Sequence, residues 1–140
     1  MPIFYGLVTI VFIRKSTLNI LMHSVQKFIV SILVAISIIG IFGIPLGDPK
    51  FITEAIALES AFIALAILSI KKPKYALIPN IGIACLVIAG NTISPKHTEI
   101  MLSLHPLYNA IILIIGGYIL QGLLLAANII AFKNCKLIVV

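Results

Sequence analysis

The chain has 140 residues, of which 61% are hydrophobic and only 10% are charged, and its mean hydropathy is +1.24. A soluble domain is about 45–50% apolar and about 25% charged, so the composition excludes a soluble enzyme domain, a disordered tail and a nucleic-acid-binding domain. Ten Lys and Arg residues against four acids give a net charge of +6. These basic residues form short clusters between apolar runs, which is typical of an integral membrane protein in contact with the lipid bilayer.

The first 24 residues are predicted to be an apolar and basic segment that lies at the membrane interface or is partly inserted. Residues 2–13 are apolar and precede Arg14 and Lys15, whereas a cleaved signal peptide carries its positive charge before the apolar stretch. About twelve apolar residues are also too few to span a bilayer squarely. The alternative is an upstream extension of little function, because Met22 offers a second start directly before the first long apolar run.

Four apolar runs are long enough to cross a bilayer, which needs about 20 residues. They cover residues 25–44, 51–70, 75–93 and 107–132. Pro45, Gly47 and Pro49 separate the first two runs, and Asp48 and Pro49 are predicted to be the N-cap and the first residue of the second helix. Continuous apolar runs of this length favour helices over barrel strands. The predicted fold is therefore all-α, an antiparallel bundle of four transmembrane helices over residues 25–133, followed by a cytoplasmic tail over 134–140.

The basic residues between these runs predict the topology. Their number alternates 3, 1, 3, 1, 2 along the chain, so that eight fall on one side of the membrane and two on the other. They are Arg14, Lys15 and Lys27, then Lys50, then Lys71, Lys72 and Lys74, then Lys96, and finally Lys133 and Lys136. Because basic loops stay in the cytoplasm, we expect a multi-pass protein of the cell membrane with both termini in the cytoplasm.

The second run carries two acids, which are the candidate proton or cation site. Glu54 lies near the outer end, where it can reach the headgroups. Glu59 lies near the bilayer centre, where an acid costs about 2.5–3.5 kcal/mol on insertion scales, and it is expected to face the bundle interior. The alternative is a structural role, with a protonated Glu59 hydrogen-bonded to Ser60, Gln121 or another helix.

Small and polar residues are predicted to form contacts between helices or between subunits. Small residues allow close approach of helix backbones in lipid, and polar side chains bond across helices. The candidates are Ser60, Asn109, Gly117, Gln121, Gly122, Ala126 and Asn128.

The outer loop from Ser94 to Pro106 holds a possible metal site. Ser94 and Pro95 look like the start of a helix, in which His97, Met101 and His105 are spaced four apart on one face. Imidazole and thioether ligands together suit copper. The alternative is a short amphipathic helix on the membrane surface.

The sequence contains no nucleophile placed with a base, no HExxH motif and no phosphate-binding loop, so we expect no catalytic activity from this chain alone. The first hypothesis is a small accessory or structural subunit of a larger membrane complex, such as an energy-converting or metal-containing oxidoreductase of the archaeal monooxygenase or respiratory type. The alternative is a small oligomeric transporter or ion or proton channel subunit that uses Glu59. No bound cofactor is predicted apart from the possible copper.

Overall fold

In a computed structural model that describes residues 2–139, with the side chains of residues 5–135, every assigned element is helical. The α-helices are α1 (Pro2–Gly43), α2 (Ile52–Lys71), α3 (Pro73–Ile93), α4 (Pro95–Ser103), α5 (Leu107–Ile114) and α6 (Leu120–Val139). A π-helical turn, Ile115–Ile119, joins α5 to α6. Within the described residues, four stretches are long and apolar enough to cross a membrane: Tyr5–Leu46, Pro49–Lys71, Pro73–Ile93 and Leu107–Cys135. This finding confirms the four predicted apolar helices.

The first helix is twice as long as the predicted span. It runs without a break through Arg14 and Lys15, because the polar stretch at residues 14–19 contains no glycine or proline that would end it. Its 42 residues correspond to about 63 Å at the rise of an α-helix, against about 30 Å of hydrocarbon in a bilayer. We call residues 2–21 the N-terminal arm; of its described side chains, all except Leu18 are exposed.

The connection between α1 and α2 consists of two 3₁₀ turns, Ile44–Leu46 and Pro49–Phe51. The side chain of Asp48 accepts a hydrogen bond from the backbone N–H of Lys50 at 3.1 Å, so Asp48 is an N-cap as predicted. It caps the second 3₁₀ turn, and α2 itself begins three residues after Pro49, at Ile52.

The four long helices pack as a bundle in which α1 and α3 each contact both α2 and α6. Its core contains Leu33 of α1, Phe62 of α2 and Leu124 of α6. Alanines occupy many of the remaining buried positions, among them Ala66, Ala76, Ala84, Ala110, Ala127 and Ala131. Small side chains at these positions let the helix backbones approach closely, which favours helix association where lipid replaces water. The described part of the predicted tail, residues 134–139, is helical and extends α6.

Candidate functional site

Glu59 lies inside the bundle, as its position in the apolar run predicted. It is 8% exposed and faces α1, where its carboxyl group fills the space beside Gly40. A Cβ atom at position 40 would collide with the Glu59 carboxyl group, so the glycine makes room for the acid. Ser37, one turn earlier on α1, brings its hydroxyl group near this carboxyl group.

Two of the partners that the structural alternative named for Glu59, Ser60 and Gln121, make their hydrogen bonds elsewhere. Ser60 is exposed and donates to the carbonyl oxygen of Ile56 at 2.8 Å. Gln121 donates to the carbonyl oxygen of Gly116 at 3.2 Å. Among the described residues, neither Oε1 of Glu59 nor Oγ of Ser37 has a hydrogen-bond partner. Glu59 instead faces another helix, α1, which the structural alternative also named, and two buried polar atoms lie at the interface of α1 and α2.

Glu54 lies apart from this site, exposed in the first turn of α2. A negative charge at a helix N-terminus is favourable because it faces the positive end of the helix dipole. This placement fits the interfacial alternative for Glu54 and leaves Glu59 as the acid of the bundle interior.

A second polar centre connects three helices, and the sequence analysis found only one of its members. Asn80 of α3 donates to Oγ of Ser69 on α2 and to Oδ1 of Asn128 on α6, each at 3.1 Å. All three side chains are at most 2% exposed. Gln26 of α1 extends the centre by donating to the carbonyl oxygen of Ser69 at 3.2 Å. Asn80 was missed because it follows Pro79 inside an apolar run and has no partner nearby in sequence.

The orientation of the Asn80 amide follows from its neighbours. Asn128 donates its own amide to the carbonyl oxygen of Leu124 at 2.7 Å, so its Oδ1 is left to accept. Asn80 must then present its NH₂ group to Asn128, and its two N–H bonds are used on Ser69 and Asn128. Oδ1 of Asn80 is buried and has no partner among the described residues.

The two predicted contact residues Gly117 and Gln121 lie where α1, α3 and the π-helical turn meet. Asn91 of α3 donates to the carbonyl oxygen of Gly117 at 3.3 Å. A π-helical turn shifts the usual hydrogen-bond pattern and frees carbonyl groups for such bonds. On the other side, a Cβ atom at Gly116 would lie 3.0 Å from Ile39 of α1. The glycines of the turn therefore allow two neighbouring helices to approach it.

The remaining predicted contact residues do not pack within the chain. Gly122 and Ala126 are exposed on α6, and no described atom lies within 4 Å of a Cβ built at Gly122. Asn109 is half-buried near the start of α5. Ser60, Gly122 and Ala126 remain candidates for contact between subunits, since they form no contact interface inside this bundle.

The outer loop forms the short helix α4, and Ser94 caps it as predicted, accepting from the backbone N–H of His97 at 3.5 Å. The helix ends at Ser103, and Leu104 adopts a left-handed conformation with φ of 53°. His105 consequently lies beyond the helix, so the helical spacing that placed it on one face with His97 and Met101 was wrong. In the part of the chain that the structure describes, no three His, Cys, Asp or Glu side chains are grouped to hold a metal.

Charged groups tie α4 to the connection between α1 and α2. Nζ of Lys96 lies 3.3 Å from Oδ2 of Asp48, an exposed ion pair. The hydrogen bond from the Lys50 backbone, together with Lys96, holds the pKa of Asp48 below its usual value. Burial lowers the pKa of the His97 imidazole, and the charge of Lys96 lowers it further. Both effects favour the neutral imidazole.

Comparison of the chain with protein-family models, with curated protein sequences and with solved structures gives no match.

Proposed function

We propose that the chain is a four-span integral membrane protein and a small accessory subunit of a larger membrane complex. In this proposal the helices form an antiparallel bundle. Only Lys72 separates α2 from α3, so these two helices are neighbours that run in opposite directions. The connections from α1 to α2 and from α3 to α6 likewise return the chain to the bundle. The alternation of basic residues places both termini and Lys71–Lys74 in the cytoplasm.

The observation that carries the subunit role is the exposed apolar surface of the N-terminal arm. Tyr5, Ile10 and Phe12 are 75%, 66% and 74% exposed, and the arm extends the first helix beyond the length that one bilayer crossing needs. A contiguous apolar surface of this kind marks an interaction site with protein or lipid. In this proposal a partner helix packs along one face of the arm, and Gly122 and Ala126 on α6 offer a second exposed contact of small residues.

The proposed complex is an oxidoreductase of the energy-converting or metal-containing type. Its support is indirect: the chain offers polar groups in the bundle core but no assembled set of catalytic side chains in the described residues, so chemistry would reside on the partner subunits. Copper at His97 and Met101 remains part of this proposal only if a partner completes the ligand set, because His105 lies outside their helix.

Mild solubilisation from the native membrane tests the subunit role. We expect the chain to purify with a fixed set of larger membrane subunits in stoichiometric amounts, and we expect Ile10→Asn in the arm to release it. Leu102→Asn is the matched control, because Leu102 is an exposed apolar residue of α4 outside the arm. A homogeneous monomer or homodimer from the native membrane would contradict the proposal.

Glu59 supports a second candidate function, an oligomeric transporter or channel subunit for protons or cations. Its buried carboxyl group lies against Gly40 and Ser37 with Oε1 unpaired, and an intramembrane acid with unsatisfied bonding capacity is a common element of ion pathways. We expect Glu59→Gln to abolish proton- or cation-driven flux in liposomes if this function holds, while Glu54→Gln leaves flux unchanged. Equal flux in Glu59→Gln and the parent protein would exclude it.

A further inference from the structure

A cavity opens between α1, α3 and α6 at the end of the bundle that carries the turn between α2 and α3. Its volume is about 400 Å³. Met22, Ile29, Leu77 and Ala131 provide apolar walls, and the polar lining includes Asn19, His23, Gln26, Ser69, Lys74 and Asn80. This space is separate from the Glu59 site, and Asn19 near the end of the N-terminal arm is the residue of the arm that lines it.

The innermost polar group of the cavity lacks a partner. Asn80 is fully buried, and its two amide N–H bonds are committed to Ser69 and Asn128. Its Oδ1 atom has no hydrogen-bond partner among the described residues. A buried acceptor without a partner loses a substantial part of its solvation, so a hydroxyl or N–H donor that reaches this oxygen from the cavity would stabilise it.

The charges around the cavity define the other end of that molecule. Lys74 and His23 line the cavity, and no acidic side chain does. Lys71 and Lys72 come shortly before Lys74 in the sequence and do not line the cavity. A Lys ammonium binds phosphate as a point charge, and basic pockets between helices at the cytoplasmic side of membrane proteins bind anionic headgroups.

We propose that this cavity binds a phosphate-bearing polyol, with the phosphate at Lys74 and His23 and a hydroxyl group donating to Oδ1 of Asn80. The volume of the cavity exceeds that of a single ordered water, whose share of liquid volume is about 30 Å³. Two sources present this chemistry: the headgroup of phosphatidylglycerol in the adjoining leaflet, and free glycerol phosphate in the cytoplasm. The inference does not depend on the proposed role as a subunit.

Binding by the full-length protein in a neutral detergent tests the proposal. Native mass spectrometry measures binding of phosphatidylglycerol against phosphatidylcholine, and the thermal unfolding temperature measures binding of glycerol 3-phosphate. We expect one bound molecule of one or both phosphate polyols. Lys74→Gln should weaken binding by about tenfold or more, the loss of one charged hydrogen bond. Lys71→Gln is the matched control, because Lys71 is an exposed basic residue of the same turn that does not line the cavity.

The pattern of the variants decides the outcome. If phosphatidylglycerol binds selectively, and Lys74→Gln weakens this binding while Lys71→Gln does not, the ligand is a lipid. The same pattern with glycerol 3-phosphate would show that the ligand is soluble. If neither probe binds, or if both Lys variants weaken binding equally, the proposal is overturned and the cavity is a hydrated vestibule. Asn80→Leu tests the contact between the ligand hydroxyl group and Oδ1 of Asn80. A folded Asn80→Leu protein that binds as well as the parent would also overturn the proposal. If Asn80→Leu does not fold, the comparison of Lys74→Gln with Lys71→Gln decides the outcome.

Discussion

Single side chains connect the helices of this bundle through hydrogen bonds that leave little freedom for substitution. Asn80, Ser69 and Asn128 form a fully buried network across three helices. A buried donor or acceptor that loses its partner keeps its desolvation penalty, because no hydrogen bond offsets it. The residues of the network therefore determine how α2, α3 and α6 are aligned.

Asn128→Leu is expected to lower the free energy of unfolding by about 1–3 kcal/mol, because it leaves an N–H group of Asn80 buried and unpaired. The double variant with Asn80→Leu is expected to lose less than the sum of the two single variants, since both partners then become apolar. Unfolding in detergent, followed by circular dichroism, measures these differences. Ser60→Ala is the control, because Ser60 is exposed and bonds only within its own helix; a loss in Ser60→Ala as large as in Asn128→Leu would contradict the network.

Gly117 of the π-helical turn and Gly122 of α6 provide a second comparison between single residues. A Cβ atom at Gly117 would collide with the amide of Asn91, whereas one at Gly122 would meet no described atom within 4 Å. We expect Gly117→Ala to destabilise by about 0.5–1.5 kcal/mol, because the Asn91 amide must move and gives up its hydrogen bond to the Gly117 carbonyl oxygen. Gly122→Ala should be neutral or stabilising by up to about 1 kcal/mol, because alanine loses less entropy in a helix. Thermal unfolding distinguishes the two variants. Equal effects would contradict the close contact between Gly117 and Asn91.

His97 gives the outer loop a pH dependence. The folded pKa of His97 is lowered by burial and by Lys96, so between that pKa and the unfolded value of about 6.5 the unfolded chain binds more protons. Stability therefore rises with pH in this window; the contribution is complete above the unfolded pKa and is lost as the pH falls below it. His97→Gln should remove this dependence when unfolding is measured in chelator-containing buffer from about pH 7.5 to about pH 5.5, one unit on either side of the unfolded His pKa of about 6.5. An unchanged pH profile would contradict the prediction.

At the scale of the elements, the long helix α1 combines two parts with different neighbours. Contacts with the core begin at Met22 and Val25, while the N-terminal arm before them has almost no buried side chain. The bundle therefore owes little of its stability to the arm.

A variant that starts at Met22 is expected to unfold within about 1 kcal/mol of the full chain, because substitutions away from packed contacts have small effects. Leu33→Ala is the contrast, since Leu33 is fully buried in the same helix and such truncations cost about 2–5 kcal/mol. Chemical unfolding in detergent compares the three proteins. A Met22-start protein as unstable as Leu33→Ala would show that the arm is part of the folding unit.

The sequence was sufficient to predict elements whose ends carry local signals. Ser94 with Pro95 marks the start of α4 as predicted. Asp48 with Pro49 marks the start of a 3₁₀ turn, and α2 begins three residues later, at Ile52. The full length of α1 was not predictable from its apolar pattern, because the polar residues near Arg14 interrupt the pattern but are compatible with a helix.

The polar centres of the interior were predictable only in part. The position of Glu59 in an apolar run was enough to place it inside the bundle, but its neighbour Gly40 depends on the rotation of α1 against α2. Asn80 and Ser69 meet across the interface of α2 and α3, and the π-helical turn that positions Gly117 has no sequence signal beyond its glycines. Each of these features depends on which helix faces pair, which single-chain periodicity does not determine.

At the scale of the whole molecule, the basic residues and the helix order define a topology that can be measured. In a background without Cys85 and Cys135, we expect Leu46→Cys to react with a membrane-impermeant maleimide added outside intact cells, since Leu46 lies between the first two helices and is exposed. Lys72→Cys should react only after permeabilisation, because the proposed topology puts this basic turn in the cytoplasm. The reverse pattern would contradict the proposed orientation.

The proposed subunit role depends most on the N-terminal arm, and site-specific photo-crosslinking in the native membrane tests it most directly. A photoreactive residue at Ile10 is predicted to yield one discrete adduct with a larger membrane subunit, because Ile10 is 66% exposed on the arm. The same residue at Leu86, equally exposed on α3, should give lipid adducts without that product. Adducts at Ile10 with lipid alone, or with a second copy of the chain alone, would contradict the account.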